Sequence, residues 1–330
     1  MGKNLIKKIV FWFDAARVYS IPMSVMSWSI PFLFGIIDGG NIFYGILALV
    51  GIIFAHAGVN LFDDYADYKI ALKSAINGVL PDNILQKGKC LYLINKKISL
   101  KTLASAIILC FLIAIVIGLF LALKAGLTVI YLMIAAGIIG LAYPFLTYVA
   151  LGEVAVAIMF SPLLYIGVYF VMMQSFSTEL TPLAISTGFL TVSLLHAHMF
   201  LDFDYDKNNK KITLCSLAGS KKNSVMTQAV IMFLAYINII YLSVTTISRV
   251  YLISLLSVPT AIILLNLMKQ NAENSCKEIN TNIFFGILEN LKKYDNCENR
   301  TFMITFMVAR NVMVEFSLLV CIAKIITEFI

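Results

Sequence analysis

Charge is scarce in this chain. Asp, Glu, Lys and Arg make up 13% of its 330 residues, about half the share of a soluble domain. Paired cysteines are missing too. The six cysteines are scattered with no Cys-x-x-Cys, so neither a disulfide framework nor a zinc site is expected. The apolar runs are long and unbroken. They lack the apolar–polar alternation of a membrane β-barrel. No small-residue cleavage site follows a short apolar stretch near the start, so no cleavable signal peptide is expected. Neither the charge nor its pattern points to nucleic acid, and nothing implies an obligate protein partner.

What the chain has instead is apolar surface, at 60% of its residues and a mean hydropathy of +0.90. One soluble core cannot hide that much. A helix needs roughly 20 apolar residues to cross a bilayer. The runs therefore predict an all-α, polytopic protein, a bundle of about nine transmembrane helices in a single membrane domain, 1–330. The expected spans are roughly 20–37, 42–62, 100–122, 126–146, 151–174, 182–201, 225–245, 249–268 and 303–326. Residues 1–19 read as a basic, amphipathic interfacial helix, 20–268 as eight spans, 269–302 as a connection and 303–330 as the last span.

Lysines set the expected orientation. They crowd the segments after spans two, six and eight, as with Lys69, Lys73, Lys96, Lys97, Lys207, Lys210, Lys211, Lys221, Lys269, Lys292 and Lys293. The opposite connections hold little beyond Lys124 and Arg249. The N-terminus is expected in the cytoplasm of a cell-membrane protein, and the net charge of +7 suits anionic lipid or an anionic substrate. Within 269–302, Ile279, Ile283, Ile287, Leu288 and Leu291 form a helical stripe. It reads as a helix lying on the membrane, or as a lid over a cytoplasmic site.

Two acidic clusters carry the chemistry. Span two ends in GVNLFDDYADYK and span six in HAHMFLDFDYDKNNKK. Asp63 and Asp67 are four apart, as are Asp202 and Asp206, and each acid of the first pair stands 139 residues before its counterpart in the second. This suggests an internal repeat. Residues i and i+4 share a helix face, which sets Asn60, Asp63, Asp64 and Asp67 together and Asp202 with Asp206. Asp204 falls on the far side if the helix continues. Carboxylates this close repel unless a cation sits between them. Hard oxygen donors without thiolates suit Mg²⁺, which keeps part of its shell for water and substrate phosphate. Lys69, Lys73, Lys207, Lys210 and Lys211 supply counter-charge for that phosphate. The plain alternative is solvated helix ends. All three histidines, His56, His196 and His198, lie near these acids. They are either ligand-orienting groups or polar residues packed between helices.

At these residues the chain resembles the UbiA-type intramembrane aromatic prenyltransferases, most of all the branch that makes the menaquinone precursor. Asn60-Leu61-Phe62-Asp63-Asp64-Tyr65-Ala66-Asp67 looks like that family's first Asp-rich motif, and Asp202 to Asp206 like its second. Lys211-x-Thr213-Leu214, Tyr143-Pro144, Leu151-Gly152-Glu153, Pro162 and Gly167 match that branch, and Arg17 stands where the family's Arg opens helix one. The chain departs from the pattern where Ala71 and Lys73 replace a further acid, and where Thr147 and Val149 replace basic residues. Residues 269–302 match nothing in it.

The resemblance implies transfer of a polyprenyl group from its diphosphate to an aromatic acceptor, with 1,4-dihydroxy-2-naphthoate expected. On this reading Asp63, Asp64, Asp67, Asp202 and Asp206 hold Mg²⁺, with Asp67 and Asp202 catalytic. Asn60, Arg17, Lys69, Lys207, Lys211, Tyr65 and Tyr143 contact substrate. Tyr65, Tyr143 and Tyr148 are expected to stabilise an allylic cation or to sit in the interfacial aromatic belt. The rival acceptors are geranylgeranylglyceryl phosphate and 4-hydroxybenzoate. A transporter is the alternative from another class, but its charges belong near mid-membrane and these lie at span ends. A phosphatidyl-group transferase would carry a DGxxAR motif, which is absent. An inactive assembly factor is a further alternative.

Overall fold

The structure is a computed structural model describing residues 2–74, 90–208, 212–245, 247–273 and 300–330. It is helical throughout. An N-terminal helix, α1 (Gly2–Ala15), leads through a short 3₁₀ turn (Val18–Ser20) into α2 (Ile21–Ile37) and α3 (Ile42–Ser74). A one-turn helix, α4 (Leu91–Ile94), precedes α5 (Leu100–Ala125) and α6 (Thr128–Leu146). Next come α7 (Gly152–Met173) and α8 (Leu180–Leu201), then two short helices, α9 (Phe203–Asn208) and α10 (Leu214–Leu217). The bundle is completed by α11 (Lys221–Thr245), α12 (Arg249–Ala272), whose first turns are 3₁₀, and α13 (Arg300–Phe329). The expected stripe at 279–291 lies outside the described residues, as do Lys210, Lys211, Lys292 and Lys293.

Helices occupy all nine expected stretches, and seven are long and apolar enough to cross a membrane, α3, α5, α6, α7, α8, α11 and α12. The other two differ for physical reasons. Helix α2 has only 17 residues. Helix α13 has 30 but buries polar groups, Thr305, Asn311, Ser317 and Lys324 among them, against its neighbours. The Lys324 ammonium lies 3.6 Å from Asp38 Oδ1 and 3.4 Å from Glu179 Oε2, above the ring of Phe34. That buried cation at the end of the bundle far from Arg17 ties α13 to α2 and to the start of α8.

Two long helices carry the acids. The 33 residues of α3 make it about 50 Å long at 1.5 Å per residue, against a hydrocarbon core of about 30 Å. It therefore runs past its expected end at 62, and the first acidic cluster sits in the overhang. Close approach of neighbours fixes α3. A Cβ on Gly58 would meet Phe111 of α5 at 2.9 Å, and one on Gly140 of α6 would meet Val59 at 3.0 Å. Small residues permit such backbone approach in membrane bundles. Helix α8 breaks at Asp202 (φ −91°, ψ 6°) and the chain resumes helix at Phe203. The two acidic segments thus differ locally, one inside a continuous helix and one just past a break.

Candidate active site

The first cluster is built where the chain enters α2. Arg17 adopts left-handed backbone angles, φ 54° and ψ 50°, a conformation that costs a non-glycine residue roughly 1–2 kcal/mol. The surroundings hold it there. The Asn60 amide donates to Ala16 O at 3.0 Å and to Ser20 Oγ at 3.2 Å. Ser20 Oγ and Ser24 Oγ bracket the His56 ring at 3.1 and 2.7 Å. These contacts staple the start of α2 to α3 and aim Arg17 at the acids. Its Nη1 lies 3.1 Å from Asp63 Oδ2, and its Nη2 pairs with Asp64 Oδ1. Both carboxylates are 4% exposed, so a single guanidinium fork spans two buried, adjacent acids.

Asp67, one turn further along, accepts a hydrogen bond from the Tyr148 hydroxyl at 3.3 Å. Tyr148 lies in the connection between α6 and α7, and the next residues reach the second cluster. Val149 pairs in parallel with Ile212, and Ala150 N–H donates to Ile212 O at 2.7 Å. Leu214 N–H donates to Glu153 Oε1 at 3.1 Å, and Glu153 is buried. Thr213 and Ser216 close a capping box that starts α10. Both acidic segments therefore open onto the same end of the bundle, with 148–153 lying between them.

In the second cluster, Asp206 N–H donates to Asp202 O at 2.8 Å, so the i,i+4 relation survives the break. Asp206 is fully buried. The side chain of Asp204 is 74% exposed and pairs with Lys221 at 2.7 Å. Asp202 lies 3.9 Å from His198 Nδ1, whose ring stands edge-on to Phe302 and Phe306. His196 is packed between helices, against Ser224 O at 3.0 Å and the Cys215 thiol. Burial pushes that thiol well above its ordinary range, which leaves it a neutral packing group.

The remaining expected contacts scatter more. Lys69 stands 5.7 Å from the ring centre of Tyr65, while Lys207 is exposed. Tyr143 lines a cavity of about 10 Å³ with Thr147, Glu153, Leu195, Met199 and Thr213, room for about one water. Thr147, where a basic residue was expected, donates to Pro144 O of its own helix at 2.8 Å. The Asn60 amide is engaged by Ala16 O and Ser20 Oγ. Tyr92 had not been singled out from sequence. Its hydroxyl donates to Asp64 Oδ2 at 2.8 Å. The sole hint was the apolar quartet Leu91–Ile94 in a lysine-rich connection.

The donors at these acids are hard oxygens with no thiolate among them, which fits Mg²⁺. Asp63 and Asp64 both pair with the Arg17 guanidinium. Among the described residues no three His, Cys, Asp or Glu side chains converge closely enough to hold a metal by themselves.

The chain is similar to known proteins in sequence pattern and in fold. The sequence model of the UbiA prenyltransferase family matches residues 23–287. A solved digeranylgeranylglyceryl phosphate synthase is similar with a TM-score of 0.61 at 15% identity, over 97% of this chain and 99% of that one. A UbiA homologue from Archaeoglobus fulgidus bound to DMAPP and Mg²⁺ is similar with a TM-score of 0.61 at 14% identity, over 94% and 98%. The apo structure of a UbiA homologue from Aeropyrum pernix K1 gives 0.62 at 13% identity, over 94% and 99%. No curated protein matches the sequence itself.

Proposed function

The chain belongs to the UbiA prenyltransferase family, and from that premise we propose that it transfers a polyprenyl group to 1,4-dihydroxy-2-naphthoate, in menaquinone biosynthesis. The observation that carries the reading is the meeting of two Asp-rich segments at one end of an apolar bundle, through Tyr148 on Asp67 and Val149 on Ile212. The branch has its own support. The two segments that resemble it, Leu151–Glu153 and Thr213–Leu214, touch through the Glu153–Leu214 hydrogen bond. The likeness to a digeranylgeranylglyceryl phosphate synthase favours the rival acceptor geranylgeranylglyceryl phosphate.

Nine spans, with the N-terminus and both clusters in the cytoplasm, complete the proposal. It follows the lysine asymmetry and puts the diphosphate end of the substrate in water and its tail in lipid. Asp63, Asp64 and Asp67, with Asp202 and Asp206, would hold Mg²⁺, with Asp67 and Asp202 in the catalytic role. Mg²⁺, when bound, supplies positive charge that neutralises the leaving diphosphate. The prenyl C1–O bond breaks, and the diphosphate keeps the electron pair. Tyr65, Tyr143 and Tyr148 would supply aromatic rings to stabilise the allylic cation, and apolar surroundings would keep water away. The ring carbon bearing the carboxylate bonds to C1, and loss of CO₂ returns the electron pair to the ring. Arg17 is the group placed to meet an acidic acceptor or the diphosphate, because its planar fork suits both.

The test is to supply membranes with a prenyl diphosphate and carboxyl-labelled dihydroxynaphthoate. Labelled CO₂ and a prenylated naphthoquinol are expected, both dependent on Mg²⁺. Prenylation of geranylgeranylglyceryl phosphate instead, with no labelled CO₂, would keep the family and discard this acceptor.

A further inference from the structure

Asp64 is held from three sides. Arg17 Nη2 takes one carboxylate oxygen, and the Tyr92 hydroxyl takes the other at 2.8 Å. The Cys90 thiol donates to the Asp64 backbone carbonyl at 3.2 Å. Arg17 comes from the hinge after α1, whereas Tyr92 and Cys90 come from the α4 turn, so two separate pieces of chain close on one carboxylate. A satellite apolar cluster backs them. It buries Ala15, Ala16, Leu61, Cys90, Leu93 and Leu103 apart from the main core. The Tyr92 ring stands edge-on to Phe11 at 5.7 Å, and Phe11 edge-on to Trp12 at 5.3 Å. The phenol is thus locked by ring packing on α1 and can deliver its hydrogen in one direction.

We propose that Tyr92 is a positioning residue for the first Asp-rich motif, fixing Asp64 so that the Arg17 fork and an incoming cation meet a preset array of carboxylate oxygens. The inference rests on the metal-dependent reading above and adds a residue outside both acidic segments. The reason is rotational. A carboxylate held at both oxygens cannot turn about its own axis. With Tyr92 removed, one oxygen of a buried acid loses its donor, and Asp64 can turn away from Asp63. The second oxygen of Asp63 and the neighbouring Asp67 then lose their fixed relation to it. Removing an outer partner of a metal-binding carboxylate typically weakens metal affinity about tenfold to a hundredfold.

The test uses the full-length chain in detergent. Tyr92→Phe keeps the ring on Phe11 and deletes only the hydroxyl. Two quantities are read, Mn²⁺ affinity in the presence of inorganic diphosphate, by electron paramagnetic resonance, and the alkylation rate of Cys90, by peptide mass spectrometry. Cys90 is 1% exposed, so it reports opening of the clamp directly. The variant should bind Mn²⁺ about tenfold to a hundredfold more weakly and alkylate faster at Cys90. Faster alkylation with unchanged Mn²⁺ affinity overturns the positioning role and leaves Tyr92 a packing residue. Unchanged alkylation overturns the clamp. Should Tyr92→Phe fail to fold, Asp64→Asn loosens the same contact from the other partner, and the same alkylation change is required of it. If the wild-type chain binds no Mn²⁺ with diphosphate, the functional reading fails, and Cys90 alkylation alone decides the clamp.

Discussion

The ion pair between Arg17 and the two acids of α3 makes a quantitative demand. Asp63 and Asp64 are each 4% exposed and share one guanidinium. Deleting that cation leaves two buried carboxylates side by side. Breaking a buried pair from one side costs about 3–5 kcal/mol. The Arg17 side chain is 21% exposed, so water can reach the gap and the lower end, about 3 kcal/mol, is the better figure. Arg17→Asn is the clean perturbation, because Asn tolerates the left-handed backbone that Arg17 adopts. Only the charge and the fork are then lost. Thermal unfolding should be followed by tryptophan fluorescence in a Trp28→Phe background, which leaves Trp12, packed in the cluster behind these acids. The variant should unfold several degrees below its parent in EDTA. Mg²⁺ with diphosphate should narrow that gap, since a second cation can serve the same carboxylates. Equal destabilisation with and without Mg²⁺–diphosphate would refute the idea that Arg17 and a metal ion share these acids. No destabilisation in EDTA would refute the buried pair.

Other outcomes follow from the same geometry. Asp206→Asn should remove most prenyl transfer, measured as diphosphate release, because that carboxyl is fully buried at the site. Asp204→Asn should leave it within a few-fold, because an exposed pair such as Asp204–Lys221 contributes under about 1 kcal/mol. Comparable losses for the two would mean that the segment rearranges when substrate binds. Lys324→Met should lower the unfolding temperature while sparing turnover per folded molecule, since the Asp38–Lys324–Glu179 network sits at the other end of the bundle. A fall in turnover with stability unchanged would contradict that. Cysteines introduced at Lys73 and Lys207 should react in intact cells only with a membrane-permeant reagent, and labelling of both by an impermeant one would reverse the orientation.

The helices and the placement of the acids were legible because each depends on one stretch of chain. An apolar run long enough to cross a bilayer declares a helix, and the acids at the ends of α3 and α8 fall where those runs stop. Spacing along a single helix separated Asp204 from Asp202 and Asp206, and Asp204 stands exposed on Lys221 while Asp206 is buried. Even the break at Asp202 leaves that relation standing, through one backbone hydrogen bond. Helix α13 was legible as a helix but not as the carrier of a buried lysine, because the charges that neutralise Lys324 come from Asp38 and Glu179, far away in the chain.

Everything about how the acids are held came from the tertiary structure. Periodicity assigns residues to the faces of one helix and is silent about which faces meet. Arg17 lies on Asp63 and Asp64, residues 46 and 47 positions on, a pairing that spacing along one helix cannot show. Asn60 shares a face with the acids as its spacing required, but its amide holds the backbone of Ala16. Tyr92 reaches Asp64 across 28 positions, carried there by a four-residue helix whose apolar side chains had no visible destination in the sequence. Thr147 and Glu153 likewise took their roles from neighbours, one capping its own helix and the other receiving the amide of Leu214. Sequence alone determined a membrane bundle with acidic helix ends, because hydropathy and helical pitch are local. Only the packed fold decided which cation and which hydroxyl stand on those acids, because both come from distant parts of the chain.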